Sequence, residues 1–172
     1  AQGMKVAQID RSLFVFTLNR FGKSPRNLLF GLMVTSAFGS MVMSNTATTA
    51  MMISSVLPMV KLIGKENPFA KAILIGIPAA AAVGGIGTII GSTPNAIAVG
   101  ALQEIGINIT FLDWMIFGLP VALILVYSFY KILARSIPKT MDIEDLKLAH
   151  LSKSSSADKK DKRAVIFTLI VT

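Results

Sequence analysis

Three long stretches of this chain carry no charge, and the polar residues inside the first two gather into short clusters. Residues 27–60 contain no Asp, Glu, Lys or Arg, residues 72–103 contain none, and residues 114–130 form a third uncharged apolar run. Crossing the hydrocarbon core of a bilayer takes about 20 apolar residues, so each run is of membrane scale. The first begins and ends beside basic residues and is 34 residues long. Two full crossings and a turn would need about 40. The run therefore predicts a re-entrant hairpin: a half-helix in, a tip at Ser44-Asn45-Thr46, and a half-helix out. Ser24-Pro25 supplies its start, a capping hydroxyl followed by proline at the first helical position. Non-helical backbone at such depth is tolerated only where protein or a watery cavity surrounds it.

The second run starts at Asn67-Pro68 and is interrupted by Gly91-Ser92-Thr93-Pro94-Asn95, where Thr93-Pro94 repeats the cap-then-proline signal. It predicts two half-helices, 68–90 and 94–104. Counting back from Glu104 at 1.5 Å per residue puts the break about 16 Å inside the membrane. Residues 114–133 predict an ordinary crossing, with Trp114 and Tyr130 at its two interfaces and a kink at Gly118 and Pro120. Upstream, residues 4–21 mix Ile9, Leu13, Phe14, Phe16 and Leu18 with Lys5, Asp10, Arg11 and Arg20, an amphipathic helix lying along the interface. The expected organisation is an interfacial helix over 1–23, the re-entrant hairpin over 24–64, the broken transmembrane helix and a following transmembrane helix over 65–137, a cytoplasmic loop over 138–163 and the start of another crossing over 164–172. The chain reads as cut at both ends. The fold class is an all-α polytopic membrane protein.

Composition agrees. Hydrophobic residues make up 53% of the chain and charged residues 15%, against about a quarter charged in a soluble domain. The net charge of +8 does not point to nucleic acid, because the 17 basic residues are segregated. Five fall in residues 1–26, three in 61–71 and nine in 131–163, while 104–113 has none. That is the positive-inside pattern of a plasma- or inner-membrane protein. The partner it implies is the lipid bilayer, with no nucleic acid. The chain has no Cys and one His, His150, in the polar loop, which leaves a membrane protease or metalloenzyme nothing to work with. The string Gly84 to Gly91, GGIGTIIG, follows no strand and fails the dinucleotide fingerprint. Its glycines, with the alanines at 79–82, instead permit close helix packing. Asn108-Ile109-Thr110 matches a glycosylation sequon but hugs the membrane.

Two broken helices meeting inside a membrane mark a transporter's binding site. At each break the second half-helix offers free N–H groups and a positive dipole end, which suit an anion. The first ends in free carbonyl oxygens, which suit a cation. Ser40 and Ser44, four apart on one face, add oxygens at the hairpin tip with Asn45 and Thr46, while Ser92, Thr93 and Asn95 add them at the second break. Neither run holds an Asp or Glu. Proton coupling usually relies on an intramembrane carboxylate or His, so neutral oxygens favour Na+ as the coupling ion. Thr48 and Thr49 read as residues that pack one helix on another.

The segments SNTATTAMM (Ser44 to Met52) and GTIIGSTPN (Gly87 to Asn95) resemble the signature regions of the divalent anion/sodium symporter family, which carries succinate, citrate and sulfate. The resemblance covers most of the chain. It implies an inverted-repeat fold of which this is the N-terminal half, an elevator-type movement, and a homodimer in the full-length protein. It implies that Ser44, Asn45 and Thr46 touch both sodium and a substrate carboxylate, that Ser40 is a sodium ligand, and that the Gly91 carbonyl is another. Thr93, Pro94 and Asn95 at the second break complete the substrate-binding set for a small dianion. The family often has Pro-Pro before this Asn, whereas here Thr93-Pro94 stands in its place. Other readings remain open on the residues alone: an anion exchanger or oxyanion permease without sodium, or a membrane scaffold subunit whose polar breaks merely pack.

Overall fold

A computed structural model describes residues 17, 20, 21 and 24–138. The interfacial helix expected over 1–23 lies outside the described residues except at Thr17, Arg20 and Phe21. The expected loop beyond residue 138 and the crossing at 164–172 also lie outside them. Among the described residues the regular elements are all helical: α1 (Pro25–Ser40), α2 (Asn45–Ile63), α3 (Pro68–Gly84), α4 (Thr93–Glu104) and α5 (Phe111–Arg135). Two short 3-10 turns, Gly85–Gly87 and Ile89–Gly91, join α3 to α4.

Each start is written in local chemistry. The Ser24 hydroxyl accepts from Asn27 N at 3.2 Å and Pro25 follows it, so one orphan donor is satisfied and the next residue needs none. Asn67 does the same for α3 by accepting from Phe69 N at 2.9 Å. At α5, Thr110 and Asp113 form a reciprocal capping box, which starts the helix three residues earlier than its apolar pattern suggests. That helix runs unbroken through Gly118 and Pro120 to Arg135. α2 stops at Gly64, whose φ of 91° suits a residue without a side chain.

Two further boundaries differ from the sequence expectation. The hairpin turns at residues 41–43, with Ser44 as the N-cap of α2, so Asn45 and Thr46 are already helical. The second break is wider than expected, because α3 ends at Gly84 and the chain then makes the two 3-10 turns before α4. α2, at 19 residues, is about 28 Å long and more than a half-helix. The stretches Asn45–Ile63, Pro68–Gly87 and Phe111–Arg135 are each long and apolar enough to cross a membrane.

The core lies where α1 and α2 meet α3. Leu28, Leu29, Leu32 and Met33 pack with Met52, Val56 and Met59 against Phe69, Ile73 and Ile77, all fully buried. At the far end of the α1–α3 crossing the contact is backbone on backbone. A Cβ on Gly84 would sit 2.5 Å from Ala37 O. Two hydrogen bonds orient the rest. Arg26 Nη2, at the start of α1, donates to Ile137 O just past α5 at 2.5 Å. Trp114 Nε1, near the start of α5, donates to Ile86 O in the break at 2.9 Å. α5 therefore runs antiparallel to α3, from the break back to the base of the hairpin. Arg26, Lys61, Lys65, Lys71, Lys131 and Arg135 all belong to helix ends or loops on that base side, whereas Glu104 and Asp113 lie at the other side.

Candidate functional site

The hairpin turn and the break between α3 and α4 meet, and the contact is made of carbonyl oxygens. After Ser40 the backbone N–H groups of Met41, Val42 and Met43 fold back onto Phe38 O and Gly39 O, so the carbonyls of Ser40 and Met41 are released from the helix. Ser40 O faces Gly91 so closely that a Cβ there would meet it at 2.9 Å and Gly85 O at 2.6 Å. A Cβ on Gly85 would in turn stand 3.0 Å from Gly91 O. Only residues without side chains allow three carbonyl-bearing segments to approach like this. Asn45, in the first turn of α2, reaches into the same space. The outer atom of its amide touches Ser40 Oγ and lies 3.2 Å from both Gly91 O and Ala81 O. With nitrogen at that atom, the amide donates to the two carbonyls. With oxygen there, it accepts from Ser40 Oγ but faces the two carbonyls acceptor to acceptor, so the nitrogen orientation is the one these neighbours satisfy.

Around this cluster, hydrogen bonds fix the loop. Asn95, nearly buried, donates through Nδ2 to Gly85 O and to Thr88 O, both at 2.8 Å. The Thr88 hydroxyl donates to Met41 O at 2.5 Å and accepts from Gly91 N at 3.1 Å. Trp114 holds Ile86 O, and Gly118 lets α5 approach, since a Cβ there would meet Ile86 O at 2.7 Å. No ionisable side chain belongs to this cluster. Among the described residues no group of His, Cys, Asp or Glu is placed to hold a metal. What the cluster presents is neutral, hard oxygen, the ligand type of an alkali or alkaline-earth cation.

The residues singled out from the sequence divide into two sets. Ser40, Asn45 and Gly91 come together. Ser44 is beside them, but its hydroxyl accepts from Ala47 N at 3.2 Å as the cap of α2. Thr46, Thr93 and Pro94 are exposed at the N-terminal ends of α2 and α4, where they border the cluster. Asn95 turns inward, with its donors taken by the loop. Thr48 is fully buried at the α1–α2 contact, facing Gly39, and Thr49 is half-buried. Sequence reasoning missed Thr88 and the tie from Trp114. Thr88 had a signal, being a single hydroxyl in an otherwise apolar glycine string. Trp114 read only as an interfacial aromatic.

The profile of the citrate transporter family matches residues 1–172, the whole chain. The chain belongs to the citrate transporter family. Its similarity to named relatives points the same way. It is 33% identical over 161 residues to a sodium-dependent dicarboxylate transporter of Staphylococcus saprophyticus, covering 83% of this chain and 31% of that protein. It is 35% identical over 119 residues to a sodium-dependent dicarboxylate transporter of Staphylococcus aureus, covering 63% and 23%. Over 96 residues it is 42% identical to an uncharacterized transporter of Haemophilus influenzae, covering 55% and 20%. The chain thus spans between a fifth and a third of these relatives' length. This citrate transporter family is one of carriers, not enzymes, and the family match together with the three membrane-length apolar helices among the described residues makes the chain an integral, multi-pass inner-membrane protein. The resemblance to sodium-coupled dicarboxylate carriers holds.

Proposed function

We propose that this chain supplies the ion- and substrate-binding part of a secondary transporter that moves a small divalent anion, of the dicarboxylate or sulfate class, together with sodium. The observation that carries this reading is the approach of the Asn45 amide to Gly91 O, Ala81 O and the Ser40 hydroxyl, with Ser40 O and Gly85 O packed against Gly91, in a place with no charged side chain. Sodium enters this cage when the Asn45 amide turns its oxygen inward, and the Ser40 hydroxyl adds a further ligand. The dianion then lies outside the cage, against the N-terminal ends of α2 and α4. There Ser44, Thr46, Thr93 and Pro94 surround backbone N–H groups and the positive ends of two helix dipoles. Ser92 makes no side-chain cap at α4; Pro94 has no N–H and Asn95 N bonds Ser92 O, so the Thr93 N–H is the donor that this end offers. Bound sodium offsets the repulsion between the anion and the cage carbonyls, and this is the coupling. The names of two relatives, sodium-dependent dicarboxylate transporters, support the same ion and substrate class. The re-entrant hairpin, with both feet on the cytoplasmic side, moves with its cargo in an elevator-type step, in a homodimer.

The test is uptake of labelled succinate, citrate and sulfate into proteoliposomes holding a full-length transporter that carries this chain, with sodium or choline outside. Uptake of at least one dianion should require sodium and saturate with it. Equal uptake in choline would refute sodium coupling and leave an anion exchanger. A correctly folded protein that moves none of the three would leave the scaffold reading.

A further inference from the structure

The walls of the cation cage come from two segments far apart in sequence, the end of α1 and the break after α3, and one buried hydroxyl ties them. Thr88 Oγ1 donates to Met41 O, 47 positions away, and accepts from Gly91 N. Met41 follows Ser40 directly, and Gly91 N belongs to the residue whose carbonyl faces Asn45. The hydroxyl is therefore one peptide unit from one wall and within the residue of the other. Thr88 is 5% exposed, so water does not compete for these bonds. Its backbone is extended (φ −135°, ψ 156°) between the two 3-10 turns, and a β-branched side chain there is stiff about χ1. Its own carbonyl is held by Asn95, which fixes the residue at both ends.

We propose, resting on the sodium reading above, that Thr88 is a positioning residue that sets the width of the cation cage and thereby its preference for sodium over lithium. It touches no ion. It fixes the distance between the Ser40 and Gly91 carbonyls, so the cage cannot contract around a smaller cation. Without the hydroxyl, Met41 O loses its donor while Gly91 N keeps only Thr88 O at 3.3 Å, so the direct tie between the two walls is lost and the cage slackens. A slack cage binds sodium less well and closes more readily on lithium.

The experiment is cation titration of substrate binding to a purified full-length transporter that carries this chain, for wild type, Thr88→Val and Thr88→Ser. Val keeps the shape and removes the hydroxyl, whereas Ser keeps the hydroxyl. Thr88→Val should raise the half-saturating sodium concentration about five- to tenfold, the consequence of one lost buried hydrogen bond, and reduce the sodium-over-lithium preference at least about threefold. Thr88→Ser should stay within about twofold of wild type in both. If Thr88→Val does not fold, Thr88→Ala carries the same expectation with less bulk at the site. A Thr88→Val protein that is less thermostable but has wild-type sodium affinity and ion preference would overturn the positioning role and leave a purely structural one. So would a Ser variant as impaired as Val. Wild-type binding that ignores sodium would instead refute the sodium reading itself, and the Thr88 role with it.

Discussion

In the proposed site Asn45 has two uses that need opposite ends of its amide: nitrogen inward to bond Gly91 O and Ala81 O, and oxygen inward to hold the proposed sodium ion. Removing the side chain removes both. Asn45→Ala should raise the half-saturating sodium concentration about ten- to a hundredfold, by analogy with losing a hydrogen bond to a charged group, and weaken the dianion with it by linkage. Sodium titration of binding in detergent checks this, and a folded variant with unchanged sodium dependence removes Asn45 from the cage. Asn45→Asp makes a sharper case. The variant puts a group that can take up a proton among the carbonyls. A proton then competes with sodium, so the sodium midpoint of this variant should rise as pH falls, while that of the wild type stays flat over the same range. Binding by Asn45→Asp that is equally insensitive to pH would contradict the cage. That Ser40 and Asn45 meet was legible in the sequence, because both flank the expected tip of one uncharged run. Thr88 and Asn95 were not legible as a pair of clamps, because a lone hydroxyl in a glycine string does not say which carbonyl, 47 positions away, it meets.

At the scale of elements, the glycines separate into those that allow an approach and those that do not. Gly91→Ala places a Cβ 2.6 Å from Gly85 O and 2.9 Å from Ser40 O, backbone atoms that cannot swing aside. Sodium-dependent binding should fall by more than about tenfold, since accommodating the methyl parts the cage walls. Gly84→Ala drives α3 away from α1 at Ala37 and should cost about 1–3 kcal/mol of stability, the usual range for overpacking, read as a lower melting temperature in detergent. Gly100→Ala in α4 meets nothing within 4 Å and should be neutral or slightly stabilising through helix propensity. A destabilised Gly100→Ala beside an unaffected Gly84→Ala would mean that the helices are packed differently. Two helix starts were readable, because capping is a local signal carried by Ser24-Pro25 and Asn67-Pro68, whereas the Thr110–Asp113 capping box was missed and its helix was expected only from residue 114. The end of α3 was not readable. Gly84, Gly85 and Gly87 all weaken a helix, so nothing local says which of them ends it, and the 3-10 turns that follow are held by Thr88 between them and by Asn95 and Trp114 from neighbouring helices.

For the molecule as a whole, the basic residues on one side of the helices predict a topology. Cysteine reporters at Asn27 and Lys65 should both label from the cytoplasm, and one at Asn108 from the opposite face. The 172-residue sequence contains no native cysteine to confuse the result within this stretch. Labelling of positions 27 and 65 from opposite faces would make α1 and α2 a crossing rather than a re-entrant hairpin, and α2 is long enough to allow it. The neutrality of the oxygen cluster has an electrical consequence. Because this part of the site carries dipoles but no formal charge, the membrane potential exerts no net pull on it when empty. One elementary charge moved through 100 mV is worth about 2.3 kcal/mol, and here that work attaches to the cargo alone. If sodium ions outnumber the dianion's two charges, a negative interior drives the loaded step inward. In the proposed transport cycle the empty return through this region is indifferent to voltage, so hyperpolarisation should accelerate uptake only until the return becomes the slow step.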